Sequence, residues 1–480
     1  MLCAILVFIM QAGFMCLEAG LVRQKNSINV AIKNFTDFFV SSLAFFAVGF
    51  ALMFGTSKNG LIGTDGFFLN PYLTTDTEGW IFPFWFFNDV FCGTASTIVA
   101  GGVAERVRYR GYLWITFVIA AIAYPIFGHW AWGGNYDLAP EKGWLAAMGY
   151  LDFAGSSVVR PDGSTVRIWG SNIPIATLGV FLLWVGWFGF NGGSTLAMNK
   201  SVGLILVNTN LAACTGAVTC LAITWWYKGK PEVEGVLNGA LGGLVAVTAS
   251  CAYISPTAAL CIGALGGLAV YGGVRLLERF HIDDAVDAIP VHLFGGVVGI
   301  LSVGLFAKPE FLVNGSRVQQ IGVQALGAVV CFTFTLCVVW LLVTLFDRYV
   351  TRIRVDPDDE ERGLNLSEYG ARTLWLDLAE EMREIKRSHD LKRRAVVKPE
   401  TEAGVVARMF NTLMATLENR TRKLDEERLA VDEANRQISV TNRRLRQKEQ
   451  ENEAFVYNIS HDLRSPLVNS RYRPANAMPT

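Results

Sequence analysis

The chain has 480 residues, 52% of them hydrophobic and only 18% charged, with 42 basic and 42 acidic side chains and no formal net charge. That is too apolar for an average soluble protein, and nothing in the charge balance points to a nucleic-acid partner. Apolar residues concentrate before residue 347 and Arg, Lys, Glu and Asp crowd residues 347–480, so the expectation is a membrane protein with a soluble tail.

The first apolar run, Leu2–Leu21, has no charged leader and includes Gln11 and Glu18, so it reads as a span cut short at its start rather than a cleavable signal. Runs that approach the roughly 20 residues a bilayer crossing needs follow at Phe35–Phe54, Ile81–Val103, Leu113–Trp132, Ile173–Phe190, Val202–Tyr227, Val236–Ala252, Ala258–Leu277, Pro290–Phe306 and Val323–Phe346. Several are rich in Gly and Ala, which suits close helix packing. The nine cysteines lie in or beside these runs without a CxxC pair, and are expected to be small core residues rather than disulfides or zinc ligands. No metal or cofactor is expected.

Basic residues set the sidedness. Arg23, Lys25 and Lys33 follow the first run, Arg106, Arg108 and Arg110 the third, Lys228 and Lys230 the sixth, Arg275 and Arg279 the eighth, and Arg348, Arg352 and Arg354 the last; all are placed inside. Parity then asks for two crossings between Arg110 and Arg160, and Leu113–Trp132 supplies one. The other is Trp144–Val159, sixteen residues interrupted by Asp152. As a helix it reaches about 24 Å, short of a hydrocarbon core of roughly 30 Å. The fold class expected is therefore an all-α polytopic bundle of ten or eleven spans with the fifth degraded, followed by a cytoplasmic coiled coil.

Beyond 346 the boundaries expected are a tail over 347–372, an amphipathic helical linker over 373–409, a coiled coil over 410–454 and a final segment over 455–480. The linker carries Trp375, Leu378, Met382 and Ile385 at helical spacing. A seven-residue repeat places Phe410, Leu417, Leu424, Val431, Ile438 and Leu445 on one seam, while the second seam position is poor, with Arg420, Glu427 and Lys448. The alternative is a long solvated helix.

Two aromatic or ionisable patterns carry chemistry. His292 opens an apolar span after Asp283, Asp284 and Asp287; an ionisable ring at that depth faces a pore or a partner, or is a neutral histidine hydrogen-bonded between packed helices. Trp132, ending its span, offers a π face to a cation, and Ser194 a hydroxyl acceptor.

Six runs appear in one order: Met10-Gln11-Ala12-Gly13-Phe14 with Leu17-Glu18-Ala19-Gly20-Leu21-Val22-Arg23; Gly102-Val103-Ala104-Glu105-Arg106; Asp152-Phe153-Ala154-Gly155-Ser156; Gly186 to Ser194; the His292 stretch; and Gly363 to Gly370. Together they resemble the ammonium transporter family (the Amt/Rh channels) from Leu2 to about Gly370. The resemblance implies ammonium or ammonia as substrate, a homotrimer in the lipid bilayer of a bacterial inner membrane, and a cytoplasmic tail. It implies that Trp132 and Ser194 form the recruitment site, that Phe91 and Phe190 are the stacked gate, and that Asp152 supports that site from below. Taken singly, Phe91 and Phe190 read as core or interfacial aromatics. Asp287 stands near the place corresponding to Asp152 in the second half, in keeping with an inverted repeat. His292 matches the second of the family's two pore histidines. The first is due after Ser156-Ser157-Val158-Val159, where this chain reads Arg160-Pro161-Asp162-Gly163. Impaired conduction is expected.

The stretch Phe455 to Leu467 closely resembles the phosphoacceptor box of sensor histidine kinases. His461 offers a nucleophilic ring nitrogen, Asp462 an acceptor for the other ring proton, and Pro466 a bend. Thirteen residues follow Leu467, without the ATP-lid segments of a catalytic domain, so a separate ATP-binding kinase protein or a response regulator is the partner expected. The reading is an ammonium sensor whose bundle is coupled to His461. A plain ammonium channel with a vestigial tail and a non-conducting scaffold or truncated product are the alternatives.

Overall fold

Hydrocarbon offers no partner for a peptide N–H or C=O, so a chain this apolar must satisfy its backbone inside helices. A computed structural model of the chain describes residues 1–70, 79–134, 142–152, 170–312, 315–371 and 374–469, apart from the side chains of Lys58 and of residues 463–469. In chain order the helices are α1 (Leu2–Leu21), α2 (Gln24–Phe54), α3 (Ile81–Gly102), α4 (Tyr109–Trp132), α5 (Ile173–Gly193), α6 (Ser201–Lys228), α7 (Val233–Thr248), α8 (Pro256–Arg279), α9 (Ile289–Phe306) and α10 (Arg317–Tyr349). Among the described residues eight of these are long and apolar enough to cross a membrane; α3 and the shorter α7 pack among them. Of the expected Trp144–Val159 crossing, only the single turn Trp144–Ala147 falls in a described helix, and residues 153–169 lie outside the description.

The second helix starts eleven residues earlier than the apolar run at Phe35, because its polar residues find partners. Asn29, Lys33, Asn34 and Asp37 are all buried. Asn34 Nδ2 donates to Glu18 Oε2 at 2.7 Å, Lys33 Nζ to the Val107 carbonyl at 2.5 Å, and the Tyr112 hydroxyl to Asp37. Each pairing removes the cost of an unsatisfied polar group in the interior.

Lipid is as apolar as leucine, so helices associate through close packing of small residues. Along α1 and α5, a Cβ added to Gly179 would stand 2.6 Å from the Gly13 carbonyl oxygen and 2.8 Å from Leu17 Cα. Both are backbone atoms that cannot move aside. Gly179→Ala is therefore expected to destabilise the bundle by about 1–3 kcal/mol, read as a lower unfolding midpoint of the detergent-solubilised protein. Gly203, with nothing within 4 Å, is the control that tolerates alanine.

Among the described residues three π-helical turns interrupt the ladders: Phe45–Gly49 in α2, Ile119–Ala123 in α4 and Ile289–Phe294 in α9. The first two face each other, with the Ala120 carbonyl 2.5 Å from where a Gly49 Cβ would be. The third carries His292. Four of the nine cysteines are buried (Cys92, Cys220, Cys251, Cys331), but Cys214, Cys261 and Cys337 are exposed, which corrects their reading as core residues; all nine are free thiols.

After α10 the chain turns back and clasps the basic end of the bundle. Lys25 Nζ donates to the Glu360 carbonyl at 2.6 Å, Asn29 N–H to Asn365 Oδ1 at 2.9 Å, and Leu364 N–H to Asn26 Oδ1 at 2.8 Å. Arg108 pairs with Asp356 at 2.7 Å, and Tyr109 N–H reaches Glu368 Oε2 at 3.2 Å. Gly363 sits at φ 99°, and a Cβ there would stand 2.7 Å from Lys25 Cβ and 2.8 Å from the Lys25 carbonyl oxygen, so the place excludes a side chain on both counts.

The chain divides into two compact units, residues 1–372 and 373–480. In the second, α11 (Leu374–Ser388) and the first turns of α12 (Glu402–Asn469) bury Leu378, Ala395, Ala403 and Ala407 against Trp375, Met382 and Phe410. Asn411 fastens the intervening loop by pairing with both the N–H and the carbonyl of Ala395. Farther along α12, Leu424, Val431, Ile438 and Leu445 are exposed.

Candidate functional site

Phe91 of α3 and Phe190 of α5 stack with ring centroids 4.0 Å apart and planes 20° from parallel, and both rings are buried. Phe87 extends the stack on one side at 4.7 Å and Trp187 on the other at 5.6 Å. Glycine makes the approach of these helices feasible: a Cβ on Gly193 would lie 2.7 Å from the Phe87 ring. Trp187 is locked by its indole N–H, which donates to Thr248 Oγ1 at 2.8 Å.

Trp132 is the last residue of α4, at the opposite end from Tyr109 and the tail clasp. Its indole N–H donates to the Asp152 carbonyl at 2.9 Å, so a buried Asp152 holds the ring by its backbone. Ser194 caps α5 and donates to the Phe190 carbonyl at 2.8 Å. That leaves its oxygen lone pairs free in kind to accept from a cation. Tyr124 and Leu196 pack both against the cluster that contains the stacked rings and against the one on which Trp132 also packs.

His292 is buried in α9, its ring 6.1 Å from that of Phe14. Among the described residues neither ring nitrogen makes a hydrogen bond, so the reading of a histidine bonded between packed helices is not what is found. Asp284 accepts from the Ile289 N–H at 2.6 Å and so ties the π turn of His292 to the preceding loop; burial raises this carboxyl above the usual range, against three backbone amides that lower it. The groups present are a π face and a hydroxyl, which can attract a small cation, a stacked pair of buried aromatic rings, and a buried imidazole.

In the second unit His461 and Asp462 lie on α12, with side chains 72% and 85% exposed. Their closest nitrogen and oxygen are 3.6 Å apart, too far for a hydrogen bond. The expectation that Asp462 accepts the second ring proton is thus not realised in this conformation.

Sequence reasoning passed over Trp187 and His129. His129 is fully buried in α4 and bonds Ser57 Oγ at 2.8 Å and the Met53 carbonyl at 2.9 Å. The rule applied to His292, that an ionisable ring within a span has a named partner, would have found it.

The model of the Ammonium Transporter Family matches residues 1–166 and 160–374, two pieces that overlap over residues 160–166. The ammonium transporter Amt2 of Archaeoglobus fulgidus is 42% identical over 409 residues, covering 77% of this chain and 86% of its own. The ammonium transporter of Bacillus subtilis is 30% identical over 397 residues, covering 77% and 95%. A solved structure described as a sensor Amt protein matches with a TM-score of 0.72 at 42% identity, over 77% of this chain and 96% of that one. Mep2 of Candida albicans matches with a TM-score of 0.66 at 25% identity, over 83% and 90%. The chain belongs to the ammonium transporter family and is a multi-pass membrane protein.

Proposed function

We propose that this protein is a membrane sensor of ammonium: the cation is taken up at Trp132 and Ser194, and its binding is conveyed through the cytoplasmic tail to His461. The observation that carries the reading is one helix of 68 residues, Glu402–Asn469, that bears an exposed His461 and follows a transporter-family bundle. The likeness to a structure described as a sensor Amt protein supports it. In this reading the basic end is cytoplasmic by the positive-inside rule, the bundle is trimeric, and the seam from Leu424 to Leu445 pairs with another copy.

The test is acid-labile phosphate on the full chain in vesicles, supplied with ATP and a purified histidine-kinase catalytic domain. Incorporation should change with added ammonium and vanish in His461→Ala; incorporation insensitive to ammonium defeats the coupling. Val431→Asp with Ile438→Asp should also abolish the ammonium response. Each substitution removes from the seam a side chain whose burial stabilises by about 1.5–3 kcal/mol, and loss of self-association by cross-linking is the accompanying readout.

A second reading, an ammonium channel with an inert tail, is favoured by the transporter relatives themselves. Uptake separates the two. We expect uptake by transport-deficient cells expressing this chain to stay near background, because His292 stands without the paired histidine due after Val159. Robust uptake without phosphotransfer would establish the channel instead.

A further inference from the structure

At the basic end of the bundle, α6, α7 and α8 and the loop before α9 enclose a cavity of about 160 Å³. That is roughly ten times what one water-sized guest requires. Its charged lining sorts into two groups. Lys228 pairs with Glu232, Arg275 with Glu278 at 2.9 Å, and Asp283 with Arg106. Glu234, Asp284 and Asp287 remain; Arg106 attracts Asp284 from outside the cavity, and among the described residues no ion pair engages Glu234 or Asp287. Three carboxyls with one cation acting on only one of them, in a partly enclosed space, call for a further cation or for protons.

A second observation shows where a guest would sit. Asn238 is 1% exposed and lines the cavity. Its Nδ2 donates to Asp287 Oδ2 at 2.9 Å, while its Oδ1 has no partner; Asp284 Oδ1 has none either. When Asp287 is ionised the amide orientation is determined by its neighbour, since the reversed amide would turn its oxygen toward the carboxylate. With the carboxyls ionised, two oxygens that can only accept thus stand unsatisfied in the cavity. Among the described residues no group of three His, Cys, Asp or Glu side chains is set to hold a metal ion. A small cation that donates hydrogen bonds fits the acceptors better than a bare metal.

We infer that this cavity is a second ammonium site, on the opposite face of the bundle from Trp132, with Asn238, Asp284 and Asp287 as its acceptors. The inference rests on the sensor reading for its ligand and adds that the chain reads ammonium on both sides of the membrane. The loop that supplies Asp284 and Asp287 leads straight into the π turn of His292, so occupancy bears on the geometry of the pore histidine.

The site is pH-sensitive with a definite sign. Burial first, then Asp284, Glu234 and Glu278, push the Asp287 carboxyl up to about 8, against the Asn238 hydrogen bond that lowers it. The neighbouring cations Lys228 and Arg275 are engaged by Glu232 and Glu278. Below that midpoint Asp287 carries a proton and cannot balance a cation; above it the carboxylate can. Inner-site affinity therefore rises as pH rises through about 8.

The test is calorimetric titration of the purified full chain with ammonium chloride, above and below that midpoint, and with sodium chloride as comparison. Wild type should show two classes of site. Asp287→Asn and Asn238→Leu should each weaken the pH-dependent class by about tenfold or more and spare the other, and Trp132→Leu should do the reverse. Glu234→Gln, a milder change, should weaken the same class as Asp287→Asn and serves if that variant fails to fold. Unchanged binding in the Asp287, Asn238 and Glu234 variants overturns the inner site. So does loss of all ammonium binding in Trp132→Leu alone, which leaves the sensor reading standing. Equal inner-site heat from sodium overturns the ammonium assignment, and absence of any ammonium binding by wild type removes both readings.

Discussion

Trp132→Leu is expected to weaken ammonium binding at the outer site by about tenfold. A cation over an indole face gains about 0.5–2 kcal/mol, toward the upper end where water is excluded, and 1.4 kcal/mol is a factor of ten. Leucine keeps the bulk of the site and offers no π face. The substitution also removes the bond from the indole N–H to the Asp152 carbonyl, so part of the loss could come from a displaced backbone. Trp132→Phe resolves this, because it keeps a ring face and loses the same bond. Affinity recovered in the phenylalanine variant assigns the effect to the ring, and equal loss in both assigns it to the Asp152 anchor. Calorimetry on the purified protein measures all three.

Arg106→Ala is expected to have the largest effect on stability. The guanidinium pairs with Asp283 and also donates to its carbonyl oxygen at 3.3 Å, and both side chains are about nine-tenths buried. Removing one partner leaves the other charge buried and uncompensated, which costs about 3–5 kcal/mol. That is a large share of the total of about 5–15 kcal/mol available to a folded protein. The yield of monodisperse protein on size exclusion should fall sharply. Arg106→Met with Asp283→Leu, which removes both charges and keeps apolar volume, should restore most of it. A single variant as stable as wild type would mean that solvent reaches Asp283 and the pair contributes little.

Much of the fold was legible because each signal was local. Leu2–Leu21 and Ile173–Phe190 are apolar enough to need only their own residues to be recognised as helices, and the amphipathic spacing of Trp375, Leu378, Met382 and Ile385 anticipated α11 from Leu374 to Ser388. The reading went short at α2, where Lys33 and Asn34 precede the apolar run that begins at Phe35. Hydropathy counts each residue's transfer cost alone, whereas Lys33 is satisfied by a carbonyl 74 positions away. The same blindness hid His129, whose two partners, Ser57 and Met53, lie 72 and 76 positions earlier.

By itself the sequence determined the helical class, the presence of many apolar helices and the family, and it offered Trp132, Ser194, Phe91, Phe190 and His292 as candidates, because periodicity and motif order are properties of neighbouring residues. Only the tertiary structure decided that Phe91 and Phe190 stack, that Gly363 and Asn365 seat the tail on α2 across more than 330 positions, and that Asn238 and Asp287, 49 apart, share a cavity with an unsatisfied amide oxygen. Those facts depend on which distant groups become each other's solvent once water and lipid are excluded, and such pairings are carried by packing rather than by local order along the chain.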